Sequence, residues 1–231
     1  ARDVNHPAFV RTVAEELRPD WSLTLACGQI FRRDLLRALR RPVNYHDGLL
    51  PAYRGLGATA WSMFHDEPTS GFSFHVMNER IDDGPILLQG AVPVPANATV
   101  TEVAWAKTTL AAEHLPALFA SLRRGEEGRP QTGTPSYFSA AGWRRIRVID
   151  DPTLHTWADL RRRLRSFDYL SMRLGGRPYE VTRLRAVAPG RRPGPLGFRT
   201  SDGVVAEPLR LLHLPPALYR LYRPWWPGRS S

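Results

Sequence analysis

Short apolar runs alternate with amphipathic helical segments along the first 125 residues, and this alternation narrows the possible folds more than any other feature. Apolar residues recur at helical spacing in residues 9–18, and the apolar run 22–26 has the length of a buried strand. A second helix, with Leu35, Leu36 and Leu39 on one face, follows. Strands that alternate with helices predict an α/β layered fold that contains parallel strand pairs.

The same pattern continues to about residue 124. Strands are predicted at 43–46, 72–77 and 86–92, and a helix at 58–65. A capping box, Thr99-Val-Thr-Glu102, opens a long helix that is predicted to reach about Arg124. Residues 126–145 are rich in Gly, Pro, Ser and Thr and are interpreted as a linker.

Asn44 and His46 stand at the end of the strand predicted at 43–46. Side chains two residues apart on an extended backbone share a face, so an amide donor and an imidazole would project side by side. Asp47-Gly48 then turns the chain. This layout is expected of an α/β active site, and the alternative is a strand-to-loop corner whose polar groups only satisfy the turn.

Three motifs in order give a resemblance to a known family. They are Asn44-Tyr45-His46, the Leu-Leu-Pro-Ala-Tyr-Arg-Gly run from Leu49 to Gly55, and the Ile-Asp-Asp-Gly-Pro-Ile-Leu run from Ile81 to Leu87. At this spacing they resemble the folate-dependent formyltransferases, which include enzymes that act on methionyl-tRNA, glycinamide ribonucleotide and amino sugars, and a formyltetrahydrofolate hydrolase domain. The resemblance covers residues 5–125 well and 145–215 more loosely.

The resemblance implies a Rossmann-like formyltransferase catalytic domain over 1–125, the linker at 126–145, and a small, basic, β-rich, OB-like domain over 146–231. Family members carry roughly two further βα units before the point that corresponds to Ala1. The catalytic domain is therefore expected to be incomplete at its N-terminus, and catalysis is in doubt if the protein lacks these units.

The activity implied is transfer of a formyl group from 10-formyltetrahydrofolate to a primary amine. Fixed donors must stabilise the tetrahedral oxyanion, and the Asn44 amide is a donor that does not titrate. His46 can donate when protonated or accept the proton of the amine when neutral. Asp82 occupies the family's Asp position and is expected to orient His46 and raise its pKa. Asp83 is the alternative, since a shift of one residue would exchange the two roles.

Two segments match the family's folate pocket, and two further residues are assigned to substrate. The folate residues expected from this match are Ala26, Cys27, Gly28 and Gln29 together with Ile81, Asp83 and Gly84. Arg54 and Trp61 are expected at the substrate. Cys27 is otherwise interpreted as a small buried hydrophobe, and His75 as a satisfied histidine beside the site. No Cys/His cluster has the spacing of metal ligands, so no metal is expected.

The acceptor is left between two classes. Trp61 stands where sugar-type and hydrolase-type members often carry Trp, which favours a small biosynthetic amine such as an amino-sugar nucleotide or an amino-acid derivative. Residues 151–231 carry 15 basic and 6 acidic residues, a net +9 of the total +10, which would suit the phosphates of tRNA. The remaining alternatives are methionyl-tRNA formylation, formyltetrahydrofolate hydrolysis, and a non-catalytic module that binds folate or RNA.

Composition sets the expected compartment. The chain has one cysteine, so no disulfide can form within it, and a reducing, cytoplasmic setting is expected. No apolar run approaches the roughly 18 residues of a membrane span. Aromatic and Arg residues mix in the tail 218–226, which is expected to pack on the domain or to remain a disordered end.

Overall fold

A computed structural model of the chain describes residues 3–212. Within that range the contacts separate into two compact units. The first comprises residues 3–62, 67–95 and 102–138, and the second comprises residues 63–66, 96–101 and 139–212. The predicted linker 126–145 thus lies across the division at Phe138, and the tail 218–226 lies outside the described residues.

The first unit is built on a four-stranded sheet. Its strands are β1 (Ser22–Thr24), β2 (Pro42–His46), β4 (Thr69–Val76) and β5 (Ile86–Pro93), in the order β1-β2-β4-β5. β1 and β2 are parallel, as predicted, but β4 runs antiparallel to both β2 and β5. The sheet is therefore mixed. The loop without a helix between β4 and β5 accounts for the antiparallel pairing of those two strands.

Five α-helices belong to this part of the chain. They are α1 (Pro7–Arg11), which continues as a π-helical turn over Thr12–Leu17, α2 (Arg33–Ala38), α3 (Ala58–Phe64), α4 (Val100–Glu113) and α5 (Leu115–Arg123). The single long helix predicted to Arg124 is wrong, since it breaks at His114. Pro116 explains the break, because proline lacks the N–H that an uninterrupted helix needs there and its ring crowds the preceding turn.

The core of the first unit fixes which face of β2 points to the site. Val43, Phe72 and Phe74 are buried with residues of α4 and α5, and Tyr45 packs against this cluster. Successive side chains of a strand alternate between faces, so burial of Val43 and Tyr45 places Asn44 and His46 on the opposite face. Packing of the apolar residues therefore sets the direction of both candidate catalytic side chains.

The segment that follows α5 returns to the first unit. Arg129 forms a β-bridge with Ile86, and strand β6 (Tyr137–Phe138) pairs in parallel with strand β3 (Arg54–Gly55). These contacts place residues 129–138 beside the loop that carries Asp82. The domain boundaries at 125 and 146 stay a prediction.

The second unit is a five-stranded sheet with two helices. Its elements are α6 (Ala140–Arg147), β7 (Val148–Ile149), a 3₁₀ turn at Pro152–Leu154, α7 (Trp157–Phe167), β8 (Leu170–Leu174), β9 (Arg177–Ala186), β10 (Phe198–Arg199) and β11 (Val205–Leu212). The strand order is β10-β11-β9-β8-β7, and the β-rich character agrees with the sequence-based expectation. Thr156 caps α7 as predicted, accepting a hydrogen bond from Asp159 N. The OB-like topology stays a prediction.

No helix within residues 3–212 combines the length and the apolar character needed to cross a membrane.

Candidate active site

The C-terminal end of β2 brings together a cluster of polar side chains inside the first unit. Asn44 pairs in register with Thr24 of β1 on one side and with His75 of β4 on the other. His46 is two residues further along the same face, and only 4% of its side chain is exposed. The predicted juxtaposition of an amide and an imidazole is therefore present at the end of a strand.

Asp82 reaches this cluster from the loop between β4 and β5. Its Oδ2 lies 3.4 Å from His46 Nδ1, and its Oδ1 lies 3.3 Å from His75 Nε2. The backbone N–H of Gly55 donates to Oδ2 at 2.8 Å. Asp82 has a left-handed φ of 50°, a conformation that aspartate tolerates better than most residues. The carboxylate thus stands between two imidazoles.

His75 is a member of the cluster, which the sequence-based interpretation as a bystander missed. Its Nε2 lies 3.3 Å from Asn44 Nδ2 as well as 3.3 Å from Asp82, and its Nδ1 lies 3.1 Å from Val76 O. A ring nitrogen carries either a proton or a lone pair, so Nε2 satisfies one of its two neighbours in any given tautomer. His75 therefore couples the orientation of the amide to that of the carboxylate.

His46 contacts an acceptor through each ring nitrogen. Nε2 lies 2.9 Å from Tyr53 O, and Nδ1 faces Asp82. A neutral imidazole has one N–H and can donate to only one of these groups, whereas an imidazolium donates to both. Only the protonated ring can therefore donate to both acceptors at once.

The pKa of His46 is nevertheless lowered from its ordinary value. Burial is the largest cause, because it penalises the charged ring, and the nearby carboxylates of Asp82 and Asp47 oppose it without overcoming it. Asp82 acts to raise the pKa of His46, as predicted, but burial lowers this pKa by more. His46 is consequently neutral at neutral pH, which is the form that accepts a proton.

Asp82 has a lowered pKa despite its burial. Burial acts to raise the pKa of the carboxyl, but the hydrogen bond from His75, the electrostatic interaction with the His46 ring and the N–H of Gly55 together lower it. Asp82 is therefore a carboxylate at neutral pH.

Asp83 points away from the imidazoles and pairs with arginines. Its Oδ1 is 2.5 Å from Arg54 Nη1, and its Oδ2 is 3.7 Å from Arg80 Nη1. Of the two candidate aspartates, the geometry brings only Asp82 to His46. The predicted substrate residue Arg54 is engaged within the protein, since its Nη2 also donates to Gln131 Oε1 at 2.6 Å.

Gln131 holds the backbone of the Asp82 loop. Its Nε2 donates to Asp82 O and to Gly84 O, each at 2.8 Å. A glutamine in a Gly- and Pro-rich stretch gives no sequence signal of this role, so the prediction of a linker concealed it. Gly84 is needed here for space, because a Cβ atom at this position would lie 1.7 Å from Val76 O.

The segment predicted to bind folate continues β1 beyond Thr24, beside the end of β2. Residues 25–30 are exposed, and Ala26 adopts a left-handed φ of 51°. Cys27 is exposed, so its interpretation as a buried hydrophobe is wrong, because the strand ends before it and no layer covers it. An ion pair of 2.6 Å between Arg33 and Glu79 links helix α2, which follows this segment, to the loop that holds Ile81. Ile81 itself is 40% exposed.

Trp61 does not present its ring at the surface. Only 7% of the residue is exposed, and its ring stacks on Phe138 at a centroid distance of 4.6 Å. A contact between Trp61 and substrate stays a prediction.

Comparison with known proteins defines the class to which this fold and cluster belong. The sequence profile described as formyl transferase matches residues 2–119, about half of the chain. The chain therefore belongs to the formyl transferase family, as its three motifs predicted.

Individual relatives match part of their own length. GDP-perosamine N-formyltransferase of Brucella melitensis is 36% identical over 107 residues, which are 46% of this chain and 41% of that protein. Methionyl-tRNA formyltransferase of Roseiflexus sp. (strain RS-1) is 32% identical over 146 residues, 62% of this chain and 45% of that protein. The chain thus spans under half the length of these two relatives.

Solved structures show the same mixed α/β fold. A sugar N-formyltransferase from Shewanella sp. superposes with a TM-score of 0.65 at 23% identity, over 78% of this chain and 74% of that one. HypX from Aquifex aeolicus superposes with a TM-score of 0.68 at 17% identity, over 97% of this chain and 42% of that one. The expectation of a formyltransferase fold is confirmed at this level.

Proposed function

We propose that the protein transfers a formyl group from 10-formyltetrahydrofolate to a primary amine. The observation that carries the proposal is the cluster of Asn44, His46 and Asp82 at the end of β2, in a chain of the formyl transferase family. An amide donor can stabilise the oxyanion of acyl transfer to an amine, and a neutral imidazole beside an ionised carboxylate can accept the proton of the amine.

The reaction assigns one task to each side chain. The amine nitrogen attacks the formyl carbon, and the carbonyl oxygen becomes an oxyanion. The Asn44 amide nitrogen lies 3.3 Å from His75 Nε2, and one of its two N–H bonds donates to the oxyanion. His46 takes the proton released by the amine, and Asp82 stabilises the resulting imidazolium. The bond from carbon to the folate nitrogen then breaks, and the proton passes to that nitrogen.

The formyl donor is assigned to the two loops that flank the end of β2. Ala26, Cys27, Gly28 and Gln29 are exposed beside Asn44, and Ile81, Asp83 and Gly84 lie on the loop of Asp82. The solved HypX structure is a complex with tetrahydrofolic acid, and an N-formyltransferase from Helicobacter canadensis was solved with folinic acid and dTDP-3-aminofucose. Both likenesses, each at 17% identity, support the fold rather than individual contacts.

For the acceptor we favour an amino-sugar nucleotide. The 36% identity to GDP-perosamine N-formyltransferase and the structural likeness to sugar N-formyltransferases support this choice. Methionyl-tRNA is the second candidate, because methionyl-tRNA formyltransferases also match and residues 151–231 carry a net charge of +9.

A panel of acceptors tests the proposal. Formylation by the protein is measured with 10-formyltetrahydrofolate and either amino-sugar nucleotides or charged initiator tRNA. Asn44→Ala and His46→Ala are expected to lower kcat by about 10² to 10⁴, as for loss of an oxyanion donor or a general base. The exposed residues provide matched controls, Asn97→Ala and His65→Ala, which should keep the rate. Equal rates in the site and control variants would refute the assigned roles, and efficient formylation of tRNA alone would replace the sugar acceptor.

A further inference from the structure

The chain has one lysine, and it is buried beneath the site. Lys107 lies on α4 with none of its surface exposed. Its Nζ donates to Asp47 O, at a short distance, and to Thr59 Oγ1 at 2.5 Å. Asp47 directly follows His46, so the ammonium group is anchored to the turn that leaves the catalytic strand.

Core packing does not account for a lysine at this position. Burying an ammonium group costs several kcal/mol before its partners compensate, and an apolar side chain of similar length would fill the space without that cost. A buried charge is therefore weak evidence for stability and calls for another role. The contacts of Lys107 indicate what that role is.

Thr59 extends the contact from the lysine to the aspartate side chain. Thr59 Oγ1 lies 3.0 Å from Asp47 Oδ2 as well as next to Lys107 Nζ. A hydroxyl has one proton, which goes to the carboxylate, so the oxygen accepts from the ammonium group. Lys107 thus holds Asp47 twice, directly through the carbonyl and through Thr59 at the carboxylate.

The turn held in this way packs against the imidazole of His46. A Cβ atom at Gly48 would lie 2.8 Å from His46 Nε2 and 2.7 Å from Ala58 Cβ. Only a glycine fits in this gap, so the backbone of the turn packs closely beside the edge of the ring that faces Tyr53 O. A shift of the turn would change both the orientation of the ring and the access of water to it.

We propose that Lys107 is a positioning residue that, with Thr59, holds the Asp47–Gly48 turn against His46 and keeps the imidazole oriented and dry. The catalytic consequence rests on the proposed function, but the effect on the imidazole does not. Burial lowers the pKa of Lys107 to about 8, against the opposing charge of Asp47, so the group still carries its charge and three N–H donors at neutral pH.

The test is the pKa of His46, followed by NMR of histidine-labelled full-length protein. Asp82, Asp47 and His75 are the titratable groups that act on this ring, and all three are retained in every variant. Thr59→Val removes the hydroxyl but keeps the shape, whereas Thr59→Ser keeps the hydroxyl. Ser121→Ala is the control, because Ser121 is also a buried polar residue of the first unit but bonds to Glu126.

Thr59→Val and Lys107→Met are expected to raise the pKa of His46 by roughly half a unit or more, because water reaches a ring whose pKa burial had lowered. Thr59→Ser and Ser121→Ala should leave it unchanged. If Thr59→Val and Lys107→Met also leave it unchanged, the proposal is wrong. Should Lys107→Met fail to fold, the Thr59→Val and Thr59→Ser pair decides alone.

Kinetics provide the second readout. Thr59→Val is expected to lower kcat about tenfold with little change in KM for the formyl donor, since a misplaced base weakens the transition state more than binding. Thr59→Ser should restore the rate. If the wild-type protein transfers no formyl group, the proposed function fails, and the pKa of His46 still decides the role of Lys107.

Discussion

At the scale of residues, the two adjacent aspartates occupy different surroundings. Asp82 lies between two imidazoles and is 11% exposed, whereas Asp83 pairs with Arg54 and Arg80 at the edge of the site. A shift of one residue separates a buried carboxylate that can stabilise an imidazolium from one that orders a loop.

We therefore expect Asp82→Asn and Asp83→Asn to differ in activity. Asp82→Asn removes the charge that stabilises protonated His46 and should lower kcat by about 10² or more. Asp83→Asn keeps the shape and loses part of an ion pair to arginine, so a change of less than about tenfold is expected. Steady-state kinetics of the two variants measure the difference, and a larger loss in Asp83→Asn would reverse the assignment.

Lys107 should also leave a signature in stability. Its folded pKa of about 8 lies below the model-compound value of 10.5, so between these pH values the unfolded state binds more protons. Stability contributed by this group therefore rises with pH through that window, and the cost of the buried charge is fully present below pH 8. Between pH 8 and 10.5 the free energy of unfolding is expected to increase by an amount on the order of 3 kcal/mol from this group.

Urea unfolding of wild type and Lys107→Met between pH 7 and 10.5 measures this contribution. The free energy of unfolding of the wild type minus that of Lys107→Met should increase with pH, since methionine has no group that titrates in this range. Tyr53, whose pKa is raised by burial and by Glu67, is present in both proteins and cancels. Parallel curves would show that folding does not lower the pKa of Lys107.

At the scale of elements, the loop from Arg80 to Pro85 depends on one close backbone approach. Gly84 lies against Val76 O, and Gln131 bonds to the carbonyls on both sides of Asp83. The loop is thus fixed at three points, which accounts for the left-handed φ of Asp82.

Gly84→Ala is expected to destabilise the first unit by about 1 to 3 kcal/mol, because the added methyl group overlaps a carbonyl that belongs to β4. Gly28→Ala serves as the control for stability, since a Cβ atom there meets nothing within 4 Å and the glycine has no left-handed φ. Thermal or urea unfolding distinguishes the two. Similar stabilities would mean that the loop relaxes away from Val76.

Local patterns predicted the elements of the first unit better than their pairing. The short strands, the helices near Leu35 and Trp61 and the placement of Asn44 beside His46 follow from periodicity, which is a local property. The antiparallel direction of β4 and its register with β2 depend on contacts between distant residues. His75 was missed for that reason, since only the register places it opposite Asn44.

Two further differences have local causes that the sequence contains. Pro116 marks the break between α4 and α5, and the prediction of one helix from its capping box did not take this proline into account. Helix α6, which carries Arg144, Arg145 and Arg147, was missed because its polar composition resembles that of the preceding linker. Ser139, which caps α6 by accepting from Gly142 N, was the available signal.

At the scale of the whole molecule, the chain passes between the two contact units five times. The second unit takes residues 63–66 and 96–101 from the first half of the sequence. Within that unit Phe64 packs on Phe167, and Arg165 Nε donates to Ala98 O at 2.9 Å. A fragment that begins at residue 139 would lack these partners.

Salt dependence separates the two classes of acceptor. A small amine bound beside Asn44 involves one or two charges, so its kcat/KM should fall only slightly as salt rises. Formylation of tRNA would use several phosphate contacts on the basic residues 151–231, with a log–log slope of about −0.9 per contact on duplex nucleic acid. We expect the weak dependence. A steep slope measured with tRNA as the better substrate would favour the second candidate.

The burial of Lys107 leaves the folded surface without a lysine amine. Under the proposed function, this chain therefore offers no exposed lysine that could compete with the acceptor for the formyl group. Amine-directed labels would reach the Lys107 side chain only when the first unit opens. The labelled fraction, followed over time by mass spectrometry, would therefore measure the rate of opening. The rate of acylation at this single lysine would thus report unfolding without an introduced probe.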